Sequence, residues 1–128
     1  MVTCASGPKD RVSEHRPDLA LPLRGVIEQA KAHADGARKY GRYNWREEAV
    51  AARVCLKAIR RHLELLEAGE DYAEDSGIHH LGHIMATAAV MLDAEMCGKL
   101  IDDRDYSTGS IRLLKDAYQW FAQLGDQT

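Results

Sequence analysis

Histidines and carboxylates crowd one stretch of the sequence, from Arg61 to His83. It holds four of the six histidines in the chain, with several acids between them. Burying ionisable groups costs free energy unless they are paired or bind a metal. Imidazole titrates near neutral pH and can act as a general acid or base, whereas carboxylates suit hard cations such as Mg²⁺. The residue types in this stretch therefore predict an active site.

The helix that leads into this stretch is predicted to carry His62 on its apolar side. Asn44 and Glu47 have the spacing of a capping box, which predicts that the helix starts near Asn44. Gly69 is a natural helix stop. Between them, residues recur at steps of three and four, the spacing of one buried face: Ala51, Cys55, Ile59, His62 and Leu66.

The helix in which this stretch ends carries two histidines near its start. Asp75 or Ser76 is the expected cap, and His80 and His83, three residues apart, then share a face. The connector between the two helices is short, so we expect an antiparallel pair with His62 opposite His80 and His83. The predicted core stripe of this helix contains Ile78, Leu81, Met85, Ala88 and Leu92.

The remaining patterns predict an all-α fold, a bundle of four to five helices. A first helix is expected from about Pro22, and a last one, with a wide apolar stripe, after a cap at Ser107 or Ser110. No alternating β-branched run is visible. The length of 128 residues favours one domain, predicted at 18–128, after a polar and flexible arm at 1–17.

Composition narrows the possible partners. A net charge of −3 and a pI of about 6.0 predict no nucleic-acid partner. The longest apolar run, Ile84 to Leu92, is too short to span a bilayer and no signal peptide is visible, which predicts a cytoplasmic protein without a membrane partner. Three cysteines without C-x-x-C spacing argue against disulfides and zinc fingers. P-loop and H-E-x-x-H motifs are absent.

Four blocks of sequence, in this order, resemble a known family. They are G-A-R-K-Y-G-R-Y-N-W-R at 36–46 (the aromatic segment), R-H at 61–62, G-E-D-x-x-x-D-S-G at 69–77 and H-L-x-H at 80–83. Over roughly residues 17–95 the chain resembles the phage and bacterial dATP/dGTP diphosphohydrolase N-terminal domain family, related to the MazG-like all-α nucleotide pyrophosphohydrolases.

The resemblance implies a MazG-like helical enzyme that cleaves a deoxypurine triphosphate, dGTP and/or dATP, to the monophosphate and pyrophosphate. It also implies Mg²⁺ or Mn²⁺ as cofactor and a homodimer or homotetramer as the assembly. Some phages with 2-aminoadenine in their DNA carry a related enzyme that acts on dGTP. A phage-encoded role in remodelling the nucleotide pool is therefore an expectation.

Roles for individual residues follow as expectations. The candidate catalytic residues are His62, Glu70, His80 and His83. The candidate metal ligands are Glu70, Asp71 and Asp75, with Glu64 and Glu67 as second choices. In the aromatic segment, cations would face phosphates and rings would face the base; the alternative is a turn with solvated cations. The candidate substrate-binding residues are Lys39, Tyr40, Arg42, Asn44, Trp45, Arg46 and Arg61.

Three positions depart from the pattern of the family. Asp75 stands where Glu is typical, Ala73 where Asp is often found, and Thr87 where Asn is frequent. Two other functions stay open on the sequence. One is a non-catalytic helical module whose histidines hold a structural Zn²⁺, and the other is a regulator that binds nucleotide without hydrolysis.

Overall fold

The computed structural model describes residues 20–126, so the predicted arm at 1–17 lies outside the described residues. Five helices dominate: α1 (Leu23–Tyr40), α2 (Asn44–Glu47), α3 (Ala52–Glu67), α4 (His80–Met96) and α5 (Ser110–Asp126). Two short strands, β1 (Val50–Ala51) and β2 (Leu100–Ile101), form a parallel pair that the sequence did not predict. The all-α prediction is confirmed. Between residues 20 and 126 no helix is both long and apolar enough to cross a membrane.

Helices α3 and α4 form the hairpin that carries the candidate site. At one end they are joined by residues 68–79, and at the other end β1, just before α3, pairs with β2, just after α4. The predicted antiparallel pair is therefore present. Both helices pack closely against each other, and α1 packs across α4.

Glycines end both helices of the hairpin in the same way. At the end of α3, Glu70 N–H donates to Leu65 O and Gly69 N–H donates to Leu66 O, both at 3.0 Å. This pair of bonds is a Schellman motif, and it requires the positive φ of +102° that Gly69 adopts. The predicted stop at Gly69 is confirmed. The turn it makes carries Glu70 back toward the start of α4.

The predicted starts of α1, near Pro22, and of α5, at Ser107 or Ser110, are confirmed, whereas those of α3 and α4 were wrong. Asn44 does not cap α3: it begins the separate four-residue helix α2, and α3 starts at Ala52 after β1. The cap of α4 is His79, whose Nδ1 accepts a hydrogen bond of 3.0 Å from Leu81 N–H. The prediction of Asp75 or Ser76 as that cap was wrong, because both lie in a turn of their own further upstream.

Helix α1 approaches α4 closely where Glu28 meets Gly82. A Cβ atom on Gly82 would lie 2.7 Å from the carbonyl oxygen of Glu28, so only glycine fits there. The Glu28 side chain is buried against this crossing, its Oε1 paired with Lys31 at 3.0 Å. This close approach brings the second half of α1 over the histidines of α4.

Small side chains and histidines fill the interior instead of large apolar groups. The buried hydrophobic residues are Ala32, Ala52, Cys55, Ala73, Ile78, Ala86 and Ala94, and His80 is the largest fully buried side chain. The core stripe predicted for α4 was largely wrong, since Leu81 and Leu92 are 45% and 70% exposed. Helix α5 also shows its apolar stripe to solvent. A large apolar surface is therefore left uncovered.

Candidate active site

Three histidines from the facing helices meet near the end of the hairpin that the connector 68–79 closes; we call His62, His80 and His83 the histidine cluster. His62 Nδ1 lies 2.7 Å from His80 Nδ1, and the rings of His62 and His83 stack with centroids 4.7 Å apart. His62 is 7% exposed and His80 is fully buried. The structure thus brings together the three histidines that the helical spacing predicted to face one another.

Hydrogen bonds fix which ring nitrogens carry protons. The Glu70 carboxylate lies 2.7 Å from His80 Nε2 and can only accept, so that nitrogen carries the proton. In a neutral ring His80 Nδ1 then accepts, which makes His62 Nδ1 the donor of the next bond. His62 is left with a lone pair on Nε2, which faces Arg61 Nη2 at 3.4 Å. Donation therefore runs in one direction, from Arg61 through His62 and His80 to Glu70.

Burial favours the uncharged forms of His62 and His83. Desolvation, followed by the nearby charges of His83 and Arg61, lowers the pKa of His62 from 6.5 to about 4. Desolvation also lowers the pKa of His83, against the opposing pull of Asp35 and Asp75. Neutral imidazoles can accept a proton, so both residues are suited to the role of a general base.

Ser76 and Asp35 are neighbours of His83 that were not on the candidate list. Ser76 Oγ lies 2.8 Å from His83 Nε2 and also accepts a 3.2 Å bond from Ile78 N–H. Asp35, on α1, bonds Lys39 Nζ at 3.0 Å and acts electrostatically on His83. The i, i+4 spacing of Asp35 and Lys39 was visible in the sequence, but their approach to His83 depends on the α1–α4 crossing.

The candidate metal ligands are spread along the rim of the site. Glu70 is held by His80, and Asp75 Oδ1 accepts a 2.9 Å bond from Ser76 N–H. Asp71, Glu64 and Glu67 are exposed. Across residues 20–126, no three His, Cys, Asp or Glu side chains are arranged to hold a metal ion. The chain thus offers separate oxygen donors around the histidine cluster, not a closed cage.

The aromatic segment is anchored on α4 by a carboxylate that the candidate list did not include. Asp93 accepts from Trp45 Nε1 and binds the Arg46 guanidinium through two bonds, at 2.7 and 3.0 Å. The Arg46 and Trp45 bonds lower the pKa of Asp93 to about 2. Asp93 is the single charged residue between Ile84 and Ala94, and this is the feature of the sequence that could have pointed to it.

Other predicted substrate-binding residues lie around this anchor. The guanidinium groups of Arg42 and Arg46 lie 5.4 and 4.3 Å from the centre of the Tyr43 ring. Asn44 is half-buried at the start of α2, and Tyr40 is 72% exposed at the end of α1. Lys39 and Arg61 lie apart from this group, beside the histidine cluster.

Comparison with known proteins gives two matches. The family model described as dATP/dGTP diphosphohydrolase, N-terminal, matches residues 5–104. A dATP/dGTP diphosphohydrolase of Salmonella phage PMBT28 is 38% identical over 67 residues, which is 52% of this chain and 22% of that protein. This chain thus matches about a fifth of the length of that relative. No solved structure matches the chain.

The family match covers the helices and loops that build the site. It includes α1 to α4, the aromatic segment, the acidic stretch 68–79 and the histidine cluster, and it ends before α5. The matched residues are well over half of the chain. The chain therefore belongs to the dATP/dGTP diphosphohydrolase N-terminal family.

Proposed function

We propose that the chain is a metal-dependent nucleotide pyrophosphohydrolase that converts a deoxypurine triphosphate, dGTP and/or dATP, to the monophosphate and pyrophosphate. The supporting observation is the one-directional hydrogen-bond chain from Arg61 to Glu70, in a chain that the family model matches over this whole region. The name of the phage relative agrees with this substrate class.

The base in this proposal is His62 Nε2, because it is the ring nitrogen left with a lone pair. A water beside the α-phosphorus gives its proton to this atom as its oxygen bonds to phosphorus. The bond from the α-phosphorus to the bridging oxygen breaks, and pyrophosphate leaves. His80 and Glu70 hold His62 in the required tautomer and stabilise its protonated form, as a buried carboxylate does for a catalytic histidine.

Cations near the cluster bind the phosphates in this proposal. Arg61 Nη2 lies 3.4 Å from His62 Nε2, a long hydrogen bond that is easily exchanged for one to a phosphate oxygen. Lys39 lies near His83 and Asp75 and forms an ion pair with Asp35. Both groups neutralise the charge that develops on the α-phosphate and on the leaving pyrophosphate.

The donors around the site fit a hydrated hard cation better than a fully protein-bound one. Mg²⁺ commonly binds one or two carboxylates and completes its shell with water and substrate phosphates. Asp71 and Asp75, with Glu70, are the residues that would hold it, and Glu64 and Glu67 remain second choices. Bound there, Mg²⁺ or Mn²⁺ would neutralise phosphate charge and acidify water.

The structural zinc alternative fits the geometry less well. His62 and His80 are joined by a direct 2.7 Å hydrogen bond between their Nδ1 atoms, so zinc could use those atoms only if this bond opened. The regulator alternative shares the nucleotide-binding part of the proposal and differs only in turnover. Release of pyrophosphate separates them.

The experiment measures pyrophosphate release from each dNTP, with Mg²⁺ and with Mn²⁺. Glu70→Gln should lower turnover of the deoxypurine triphosphates by at least a hundredfold, because a neutral amide cannot stabilise the positive charge that His62 gains when it takes the proton. The side chain of Glu70 is 34% exposed, so the helical circular dichroism should stay unchanged.

Glu74→Gln is the matched control. Glu74 lies on the same connector, is exposed and makes no side-chain hydrogen bond or ion pair within residues 20–126, so its variant should keep full activity. The proposal is wrong if no dNTP yields pyrophosphate with either metal, or if Glu70→Gln is as active as Glu74→Gln. Stoichiometric Zn²⁺ that survives dialysis, together with no turnover, would instead support the structural zinc module.

A further inference from the structure

A cavity of about 480 Å³ lies between α1, α4 and the aromatic segment. Its apolar lining is made of small side chains, among them Ala34, Ala37 and Ala89, and its aromatic lining of Tyr43 and Trp45. Pockets of this size, with apolar walls and a few fixed polar groups, are typical of small-molecule sites. The small side chains leave room for a flat ring beside the aromatic groups.

Backbone strain independently marks the mouth of this cavity. Tyr43 has φ +56° and ψ +31°, a left-handed conformation that is unfavourable for a residue with a bulky side chain. Its ring packs edge-on to Trp45 at 5.5 Å and lies under the Arg46 guanidinium. Residues held in such conformations cluster at ligand sites. The anchoring of Trp45 and Arg46 on Asp93 keeps Tyr43 in place.

The cavity lies within reach of the histidine cluster. Val90, in its lining, follows His83 by seven residues, which is two helical turns and about 10 Å along the same face of α4. An extended nucleoside triphosphate can bridge that distance. We infer that this cavity binds the purine base of the substrate and prefers guanine to adenine, an inference that rests on the proposed function.

The preference for guanine follows from which polar groups in the cavity are free. Asp93, its single carboxylate, accepts three N–H groups from Trp45 and Arg46 and has little capacity left. Arg42 has no carboxylate partner among the described residues, so its guanidinium is available to donate. The O6 and N7 atoms of guanine accept, and arginine binds both at once, whereas adenine presents an N6 donor.

His33 adds to this arrangement, and Tyr43 does not oppose it. His33 Nε2 lies 3.2 Å from the Gln29 side-chain nitrogen and accepts from it, so the other ring nitrogen of His33 is a donor. The Tyr43 hydroxyl can donate or accept and therefore does not discriminate. A site of donors disfavours a base that lacks the matching acceptors, because that base would displace water from the donors without replacing its hydrogen bonds.

The test is equilibrium binding of nucleoside monophosphates without metal, followed by the fluorescence of Trp45. Trp120, the other tryptophan, is replaced by phenylalanine so that Trp45 is the sole reporter. Stacking of a base beside Trp45 should quench it. We expect dGMP to bind at least tenfold more tightly than dAMP, a difference consistent with one bidentate arginine contact, and dTMP and deoxyribose 5-phosphate to bind more weakly still.

Two adjacent alanines of α4 provide a matched pair of variants. Ala89 lines the cavity and Ala88 is exposed, so Ala89→Leu should lower dGMP affinity at least tenfold while Ala88→Leu leaves it unchanged. Arg42→Gln should bring the affinities for dGMP and dAMP to within about threefold of each other, because the bidentate donor is lost. Circular dichroism verifies that each variant is folded.

Three results would overturn the inference: equal binding of dGMP and dAMP, unchanged dGMP affinity in Ala89→Leu, or deoxyribose 5-phosphate binding as tightly as dGMP. The last result would mean that the protein recognises only the phosphate. These measurements do not depend on hydrolysis. Selective dGMP binding without pyrophosphate release would disprove the proposed function and keep the base site, whereas turnover without such binding would do the reverse.

Discussion

His80 is both the most deeply buried large side chain and the centre of the candidate active site. Its two ring nitrogens are bonded to His62 and Glu70, which compensates for the cost of removing the ring from water. A substitution that breaks one bond leaves a buried polar atom without a partner, a loss that typically costs about 1–3 kcal/mol. Effects of His80 variants on activity therefore need a parallel measurement of stability.

The buried histidines predict that stability falls as the solution is acidified. The unfolded chain protonates His62 below its ordinary pKa of 6.5, whereas the folded chain resists protonation until about pH 4. The unfolded state therefore binds more protons in this window, and the free energy of unfolding decreases as pH falls through it. The pKa of His83 is lowered too and acts in the same direction.

Urea unfolding at pH 7.5, 6.5 and 5.5 measures this effect. The pKa values of Glu28, Asp35 and Asp93 are lowered from values at or below 4.5, so this range isolates the histidines from those carboxylates. The midpoint should shift to lower urea with each step, and His62→Gln should show a smaller shift. A midpoint that does not change between pH 7.5 and 5.5 would contradict the burial argument.

Local spacing was enough to predict the histidine cluster but not its surroundings. His62, His80 and His83 face each other because helical periodicity and a short connector leave few other arrangements. Asp93 was missed because its role depends on a contact between residues 46 and 93 that no local pattern encodes. Sequence reasoning therefore found the groups suited to chemistry and missed the group that anchors the neighbouring cavity.

At the scale of elements, the close crossing of α1 over α4 depends on Gly82, which has no side chain to separate the two helices. Gly82→Ala gains helix propensity but forces a Cβ atom to within 2.9 Å of two Glu28 backbone atoms. Overpacking of this kind costs roughly 1–3 kcal/mol. We expect the variant to be destabilised in urea unfolding despite alanine's better propensity.

Gly36 provides the control for this prediction. It lies inside α1, and a Cβ atom there meets nothing within 4 Å. Gly36→Ala should therefore raise the free energy of unfolding by about 0.5–1 kcal/mol. If both alanine variants were stabilised, α1 would not press on α4 as closely as the structure indicates.

The elements that the sequence failed to predict depend on contacts between segments that lie far apart in the chain. Asn44 and Glu47 have the spacing of a capping box, but the chain instead makes a single helical turn, leaves it at Glu48 and enters β1. A two-residue strand exists only because β2 is there to pair with it. In α4, the side that packs against neighbouring elements carries Gly82 and Ala86, because small residues allow a close approach. The predicted apolar stripe of α4 therefore lies largely on the exposed side.

At the scale of the whole molecule, exposed apolar surface agrees with the homodimer or homotetramer that the family resemblance implies. Helix α5 exposes an apolar face that includes Leu113, Leu114, Tyr118, Phe121 and Leu124. Extended apolar patches of this kind usually mark contacts with another protein. This helix lies beyond the residues that the family model matches.

Mass measurement tests whether α5 supports self-association. The double variant Leu114→Ser with Phe121→Ser should lower the mass seen by light scattering after size exclusion, because two large apolar contacts are removed. Gln119→Ser with Gln123→Ser, on the polar side of α5, should leave the mass unchanged. A wild-type chain that elutes as a monomer at all concentrations would refute the assembly.

The two-residue strand pair also has a consequence for how the chain folds. Val50 pairs with Leu100, and Val50 N–H bonds Lys99 O at 2.8 Å, so these contacts join positions about fifty residues apart. Closing so long a loop costs chain entropy that two residue pairs cannot offset. The strand pair should therefore form late in folding, after α3 and α4 have docked. It should also be among the first contacts to separate when the protein unfolds locally.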